Sequence, residues 1–173
     1  GPEVNPVQVP PAVVKQDRYV SYTDNYAKLP LLSVVFPSVP IYHKDMGALT
    51  CLSQVLGQGR NSVLYQQLVK KQLALQASSF SNLSELAGEF SFQFTPSPGK
   101  SLAMMDTLFR LALDSFELRG VTDEDVVKFK GGIEAQQING LQSVSGKVSQ
   151  LAAFQTFSGN PNKIADLIKI YQA

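Results

Sequence analysis

The sequence predicts an α+β domain in which helices pack on one face of an antiparallel sheet. Three observations support this. Leu31 to Phe36 is an apolar run of β-formers stopped by Pro37, Phe90, Phe92 and Phe94 alternate with polar residues, and the chain after Leu102 repeats apolar residues at helical spacing. Strand signals come in pairs close in sequence, so neighbouring strands are expected to run antiparallel.

Residues 1–17 carry Pro2, Pro6, Pro10 and Pro11 among small and polar residues. Proline fixes φ and removes a backbone donor, so this stretch is expected to be an extended linker or arm, with Gly1-Pro2 reading as a scar of tag removal. Residues 18–173 are expected to form one domain. Arg18 to Thr23, holding Tyr19, Val20 and Tyr22, predicts a first strand, and Leu31 to Phe36 predicts a second that is buried on both faces. From Asp45 the period changes. Leu49, Leu52 and Leu56 fall at i, i+3 and i+7 between an acidic start and Gly57, which predicts a helix. After Gly57-Gln58-Gly59-Arg60, Asn61 or Ser62 stands where it would cap a second helix with Leu64, Tyr65, Leu68 and Val69 on one face.

Two more strands are predicted over Leu75–Ser81 and Glu89–Thr95, the latter aiming three phenylalanine rings at one face. Pro96, Pro98 and Gly99 end it. Leu102, Met105, Phe109, Ala112, Leu113 and Phe116 then define a helix running to Arg119 and Gly120. Thr122 is an expected N-cap, with Asp123, Glu124 and Asp125 offsetting the positive end of the helix dipole. From Val126, Phe129 and Ile133 through Gln137, Leu141, Val144, Val148 and Leu151, one face persists for about seven turns. Gly131-Gly132, Gly140 and Gly146 are the points where that segment is expected to kink or split. Gly159-Asn160-Pro161 breaks it, and Ile164, Leu167, Ile168 and Tyr171 begin a last helix.

Composition narrows the function classes. A chain of 173 residues, 44% hydrophobic and 17% charged, can bury one ordinary core. Its 15 basic and 14 acidic residues are spread without runs and leave a formal charge of +1, so no basic stripe exists to follow a phosphate backbone and nucleic acid is not an expected partner. No apolar run of about 18 residues is present to span a membrane. Cys51, among Ala48, Leu49 and Leu52, makes neither an internal disulfide nor a CxxC motif and is expected to be a buried small hydrophobe.

Chemistry is hard to find. A zinc site needs three or four His, Cys, Asp or Glu ligands, and the chain has one histidine, His43, so neither HExxH nor HxxEH can occur. His43 is expected to be an exposed residue at a helix start. No GxSxG elbow surrounds any serine. Gly57-Gln58-Gly59-Arg60-Asn61-Ser62 has the glycines of a phosphate cradle but no GK[ST] ending, and it joins two helices, so it reads as a tight turn. Asp123-Glu124-Asp125 lacks the twelve-residue loop of a calcium site and reads as a charged helix start. Lys70 and Lys71 suit a helix C-terminus.

The pattern as a whole is more specific. Leu29 to Pro37, Asp45 with Ala48-Leu49, and above all the GxGRxSxLYxxL stretch within Leu56 to Val69 together resemble the insulinase/pitrilysin family of zinc peptidases and the related mitochondrial processing peptidases. Leu73-Ala74, the Phe-rich strand, Gly120-Val121-Thr122 and residues 162–172 extend the resemblance over about residues 18 to 173. The resemblance implies homologous α+β domains paired into two halves that close around a peptide. A zinc domain there carries HxxEH, whose Glu acts as general base toward a metal-bound water. That motif is absent here, so the implied identity is a metal-free domain of the C-terminal type, with no catalytic residue and no metal ligand of its own. Zinc is then expected in another domain of the parent protein, a zinc-dependent metalloendopeptidase. This domain would support the zinc-bearing domain, upstream or on a partner, and form wall of the chamber for the peptide substrate. Bacterial relatives imply a periplasmic location. The alternative is a structural subunit, like a respiratory core protein, without proteolysis.

Some relatives also place an Arg and a Tyr, in a stretch like LREKRGLAY, against the substrate backbone. The corresponding stretch here, Leu68 to Leu75, is one residue shorter, with Val69 where the Arg would stand and Leu75 where the Tyr would stand. No substrate-binding residue is therefore assigned.

Overall fold

The computed structural model describes residues 18–26 and 28–172 and the single residues 10, 13, 15 and 16. Pro2, Pro6 and Pro11 of the expected arm lie outside the described residues, and Pro10 is exposed. Three strands, β1 (Leu32–Ser38), β2 (Ala74–Leu83) and β3 (Gly88–Pro96), form one antiparallel sheet in the order β1-β3-β2. The helices are α1 (Met46–Gly57), α2 (Leu102–Arg119), α3 (Asp123–Gly140), α4 (Val144–Ser158) and α5 (Ile164–Gln172), with a π-helical turn over Tyr65–Val69 between α1 and β2. The α+β class read from the sequence is the one found.

Register explains why β3 takes the centre. Phe94, Phe92 and Phe90 stand opposite Leu32, Val34 and Phe36 of β1 and opposite Ala77, Ser79 and Ser81 of β2, so one face of the sheet gathers all nine side chains. Opposed residues in a ladder point the same way. The rings stack with one another and with α2, Phe109 lying 4.7 Å from Phe92 and 5.1 Å from Phe94 between ring centres. Met105, Phe109 and Ala112, one stripe of α2, are buried there with Leu56, Leu64 and Leu68. The small residues of β2 serve a different neighbour. Ser79 donates its hydroxyl to the Ser53 carbonyl of α1 at 2.8 Å, and Gly57 lies against the Ser78–Ser79 backbone with no room for a Cβ.

A second, smaller core joins α1 to the C-terminal helices through Cys51, Val55 and Phe129, with Phe116, Ile133 and Tyr171 packed around them. Cys51 is buried and free, as expected of a small hydrophobe. Thr122 caps α3 in a full capping box: its hydroxyl accepts the Asp125 N–H at 3.2 Å while the Asp125 carboxylate accepts the Thr122 N–H at 3.1 Å.

Three expectations are corrected. Arg18 to Thr23 is not a strand, because no ladder partner for it exists among the described residues. β1 is not buried on both faces; it is an edge strand, with Val35 51% and Phe36 47% exposed. The second helix is present over residues 63–69, but it widens to a π-helical turn and neither Asn61 nor Ser62 caps it with its side chain. The Ser62 hydroxyl turns back to the Gly59 carbonyl at 2.8 Å, and the Lys70 and Leu73 N–H groups reach the carbonyls of Tyr65 and Leu68, five residues back. The wider turn seats Leu64 and Leu68 in the core and delivers the chain to β2. The long segment after Thr122 splits between Gly140 and Gly146, two of the points where a kink or split was expected, and Ser143 caps α4 by accepting the Gly146 N–H at 3.0 Å. Val144, Val148 and Leu151 consequently face outward.

Candidate functional site

The two positions singled out by resemblance come together. The π-helical turn carries Val69 and the start of β2 carries Leu75, and both line a cavity of about 250 Å³ with Tyr65, Arg60 and Gly59, beside the edge of β2 that pairs with no strand among the described residues. Leu75 is 55% exposed and Val69 partly buried. The reversal that brings them face to face runs through Gln72, which holds φ at 57°. That conformation costs a residue with a Cβ, and a glycine would adopt it freely. Val69 and Leu75 themselves are aliphatic and offer contact area alone, while the charge and the phenol hydroxyl in the same cavity come from Arg60 and Tyr65.

Arg60 is the member of this wall that the sequence named only as part of a motif. Gly59, at φ 81°, turns the chain so that Arg60 also borders a larger cavity of about 530 Å³ with Gln58, Arg119, Thr122, Asp125 and Lys128. Most charge in that cavity is spent locally. Arg119 pairs with Asp125, and Lys128 pairs with Glu124 at 2.6 Å. Burial alone would push the Asp125 carboxyl up, but hydrogen bonds with Thr122 and the Arg119 guanidinium outweigh it and hold the carboxyl below its ordinary value. Asp123-Glu124-Asp125 is thus a helix start with two of its three carboxylates engaged. Lys70 and Lys71 donate to Gln66 and Gln67, one turn back, at 3.1 and 2.7 Å. The Gly57 to Ser62 stretch is a turn between helical segments, as its sequence implied.

His43 stands at the start of α1, partly exposed. Its Nδ1 accepts the Asp45 N–H at 3.2 Å and lies 3.4 Å from the Asp45 carboxylate. Among the described residues, no group of three or more His, Cys, Asp or Glu is placed to hold a metal ion. A third cavity, of about 250 Å³, is apolar and lies between α1, α3 and α5 at Cys51, Leu52, Phe129 and Tyr171. Burial, and secondarily the charge of Asp125, raise the Cys51 thiol above its ordinary pKa. No helix among the described residues is long and apolar enough to cross a membrane.

Comparison with known proteins agrees with this arrangement. The family described as peptidase M16 inactive domain matches residues 1–131. The zinc protease PqqE of Helicobacter pylori is 36% identical over 112 residues, covering 62% of this chain; the chain spans only 24% of that relative's length. A protease of known structure from Helicobacter pylori superposes with a TM-score of 0.71 at 27% identity, over 86% of this chain and 36% of its own. The inactive peptidase domain of a zinc protease from Bordetella parapertussis gives 0.72 at 15% identity, over 84% of this chain and 79% of its own, and shows the same fold.

Proposed function

This chain belongs to the peptidase M16 inactive-domain family, and from that premise we propose that it is the non-catalytic domain of a zinc metalloendopeptidase, supporting a zinc-bearing domain and forming wall of the chamber that holds the peptide. The observation that carries the reading is the pairing of family membership with a chain whose single histidine cannot build HxxEH. Zinc then belongs to another domain of the parent, where it would activate water for peptide hydrolysis. The domain's own contribution is shape. Val69 and Leu75 are aliphatic and supply no polar clamp, and the polar groups beside them are those of Arg60 and Tyr65. The same reading treats residues 18–173 as one domain, 1–17 as its linker, and the parent as periplasmic.

The test uses the full-length parent. Peptide cleavage that is abolished by a chelator and restored by zinc, with no cleavage by this domain alone, is the expected result. A parent with no HxxEH in its polypeptide or its partner subunit, and no cleavage, would replace the proposal with that of a structural subunit. Osmotic-shock fractionation of the source cells tests the location.

A further inference from the structure

The cavity at Val69 and Leu75 is lined by one ionised residue, Arg60. The cations around it are engaged: Arg119 pairs with Asp125, Lys128 with Glu124, and Lys70 and Lys71 donate to Gln66 and Gln67. The Arg60 guanidinium is exposed and has no hydrogen bond or ion pair among the described residues. Its main chain is nonetheless fixed, because Gly59 turns at φ 81° and the Arg60 carbonyl accepts the Gln66 side-chain amide at 2.6 Å. Tyr65, partly buried, offers a hydroxyl that is likewise without a hydrogen-bond partner among the described residues. Beside these two donors the sheet is open. β2 pairs only with β3 among the described residues, and a bulge leaves Leu75 with no residue opposite it, Ala74 facing Pro96 and Gln76 facing Thr95.

We propose that this cavity is a subsite for a carboxylate of the peptide substrate, with the Arg60 guanidinium as its counter-ion and the Tyr65 hydroxyl as a second donor. The inference rests on the reading above that the parent holds peptides, and it adds a preference among them. The occupant follows from charge and size. A cation without a partner in an otherwise neutral wall selects an anion, and a planar guanidinium matches the two oxygens of a carboxylate. The volume of about 250 Å³ lies below the roughly 300–1,000 Å³ of sites that take whole small molecules, so it suits a residue or two of a longer chain. Val69 and Leu75 then cover the aliphatic stem of that residue. An acidic side chain and a peptide's C-terminal carboxylate share this chemistry.

Fluorescence anisotropy on the full-length parent, stripped of metal so that nothing is cleaved, tests this. The probes are labelled, otherwise uncharged peptides. One series moves a single Glu along the chain, each member matched by its Gln twin, and a pair without Glu ends in a free or an amidated C-terminus. The parent should bind one Glu peptide, or the free-ended peptide, about tenfold more tightly than its twin, and the arm that responds identifies the source of the carboxylate. Arg60→Gln should abolish that preference, Tyr65→Phe should weaken it, and Arg60→Glu should reverse it in favour of a Lys peptide. Each preference is a ratio taken within one protein, so a change in the fraction folded cancels. No preference for either carboxylate, or a preference that survives Arg60→Gln, overturns the subsite. The outcome is separable from the functional reading: a parent that prefers the carboxylate but cleaves nothing once zinc is restored upholds the subsite and refutes the protease assignment, and a zinc-dependent parent without the preference does the reverse.

Discussion

Gly57 offers a sharp test of how α1 is held on the sheet. A Cβ built at this position would overlap the backbone nitrogen of Ser79 and lie 2.5 Å from the Ser79 hydroxyl and 2.7 Å from the Ser78 carbonyl carbon. Two of these atoms belong to the β2 backbone and cannot rotate aside. Restoring ordinary contact requires the end of α1 to retreat by about 1 Å. Overpacking of this kind costs about 1–3 kcal/mol. The same retreat stretches the Ser79–Ser53 hydrogen bond, whose partners are 0% and 1% exposed, and stranding a buried polar group adds about 1–3 kcal/mol. Alanine's better helix propensity returns at most about 1 kcal/mol. Gly57→Ala should therefore lose about 2–4 kcal/mol, read as a lower urea midpoint at unchanged slope. Gly131→Ala, on the exposed face of α3 with nothing within 4 Å of its Cβ, should gain about 0.5–1 kcal/mol. A loss below about 0.5 kcal/mol for Gly57→Ala, or the same sign for both variants, would refute the close-approach argument.

Four further outcomes follow from features already described. Because Asp125 has a depressed pKa in the fold, its stabilisation is complete above the unfolded carboxylate value and is lost as pH falls through the folded one, so Asp125→Asn should flatten the acid limb of a stability–pH profile; Thr122→Ala should cost about 1 kcal/mol in thermal or urea unfolding. Gln72→Val should destabilise by about 1–2 kcal/mol, because a β-branched side chain resists the positive φ at this position, and an unchanged urea midpoint would argue against that turn. Cys51 should escape an aromatic disulfide reagent in the native protein and react promptly in denaturant; stoichiometric native labelling would contradict its burial.

Where local chemistry decides the structure, the sequence was readable. The stripe Met105, Phe109, Ala112, the Thr122 cap and the Phe90, Phe92, Phe94 alternation each act over a few residues, and each stands where its spacing implied. Misreadings arose where a distant partner decides. An apolar run such as Leu31 to Phe36 is compatible with a central strand or an edge, and only the order β1-β3-β2 makes it an edge. Arg18 to Thr23 has strand residues, but a ladder needs a second chain segment. The Tyr65–Val69 turn widens to suit the burial of Leu64 and Leu68, which no helical period foretells. The break between α3 and α4, by contrast, falls between Gly140 and Gly146 as their sequence implied, with Gly146 so close to the Gly140 carbonyl that a Cβ would collide with it. For the wall at Val69 and Leu75, the resemblance named the positions. Their shared cavity with Arg60 required the reversal at Gln72.

The central place of β3 also fixes an order of assembly. β2 and β3 are joined by the four residues 84–87 and can zip as a hairpin on their own. β1, although it leaves the ribosome first, has nothing to bond with until β3 arrives, because Leu32 must find Phe94 roughly sixty residues later. α1, which presses on β2 through Gly57 and Ser53, waits as well. The N-terminal third of the domain is therefore synthesised as an unsupported apolar chain, and its folding is gated by the emergence of three phenylalanines on the third strand.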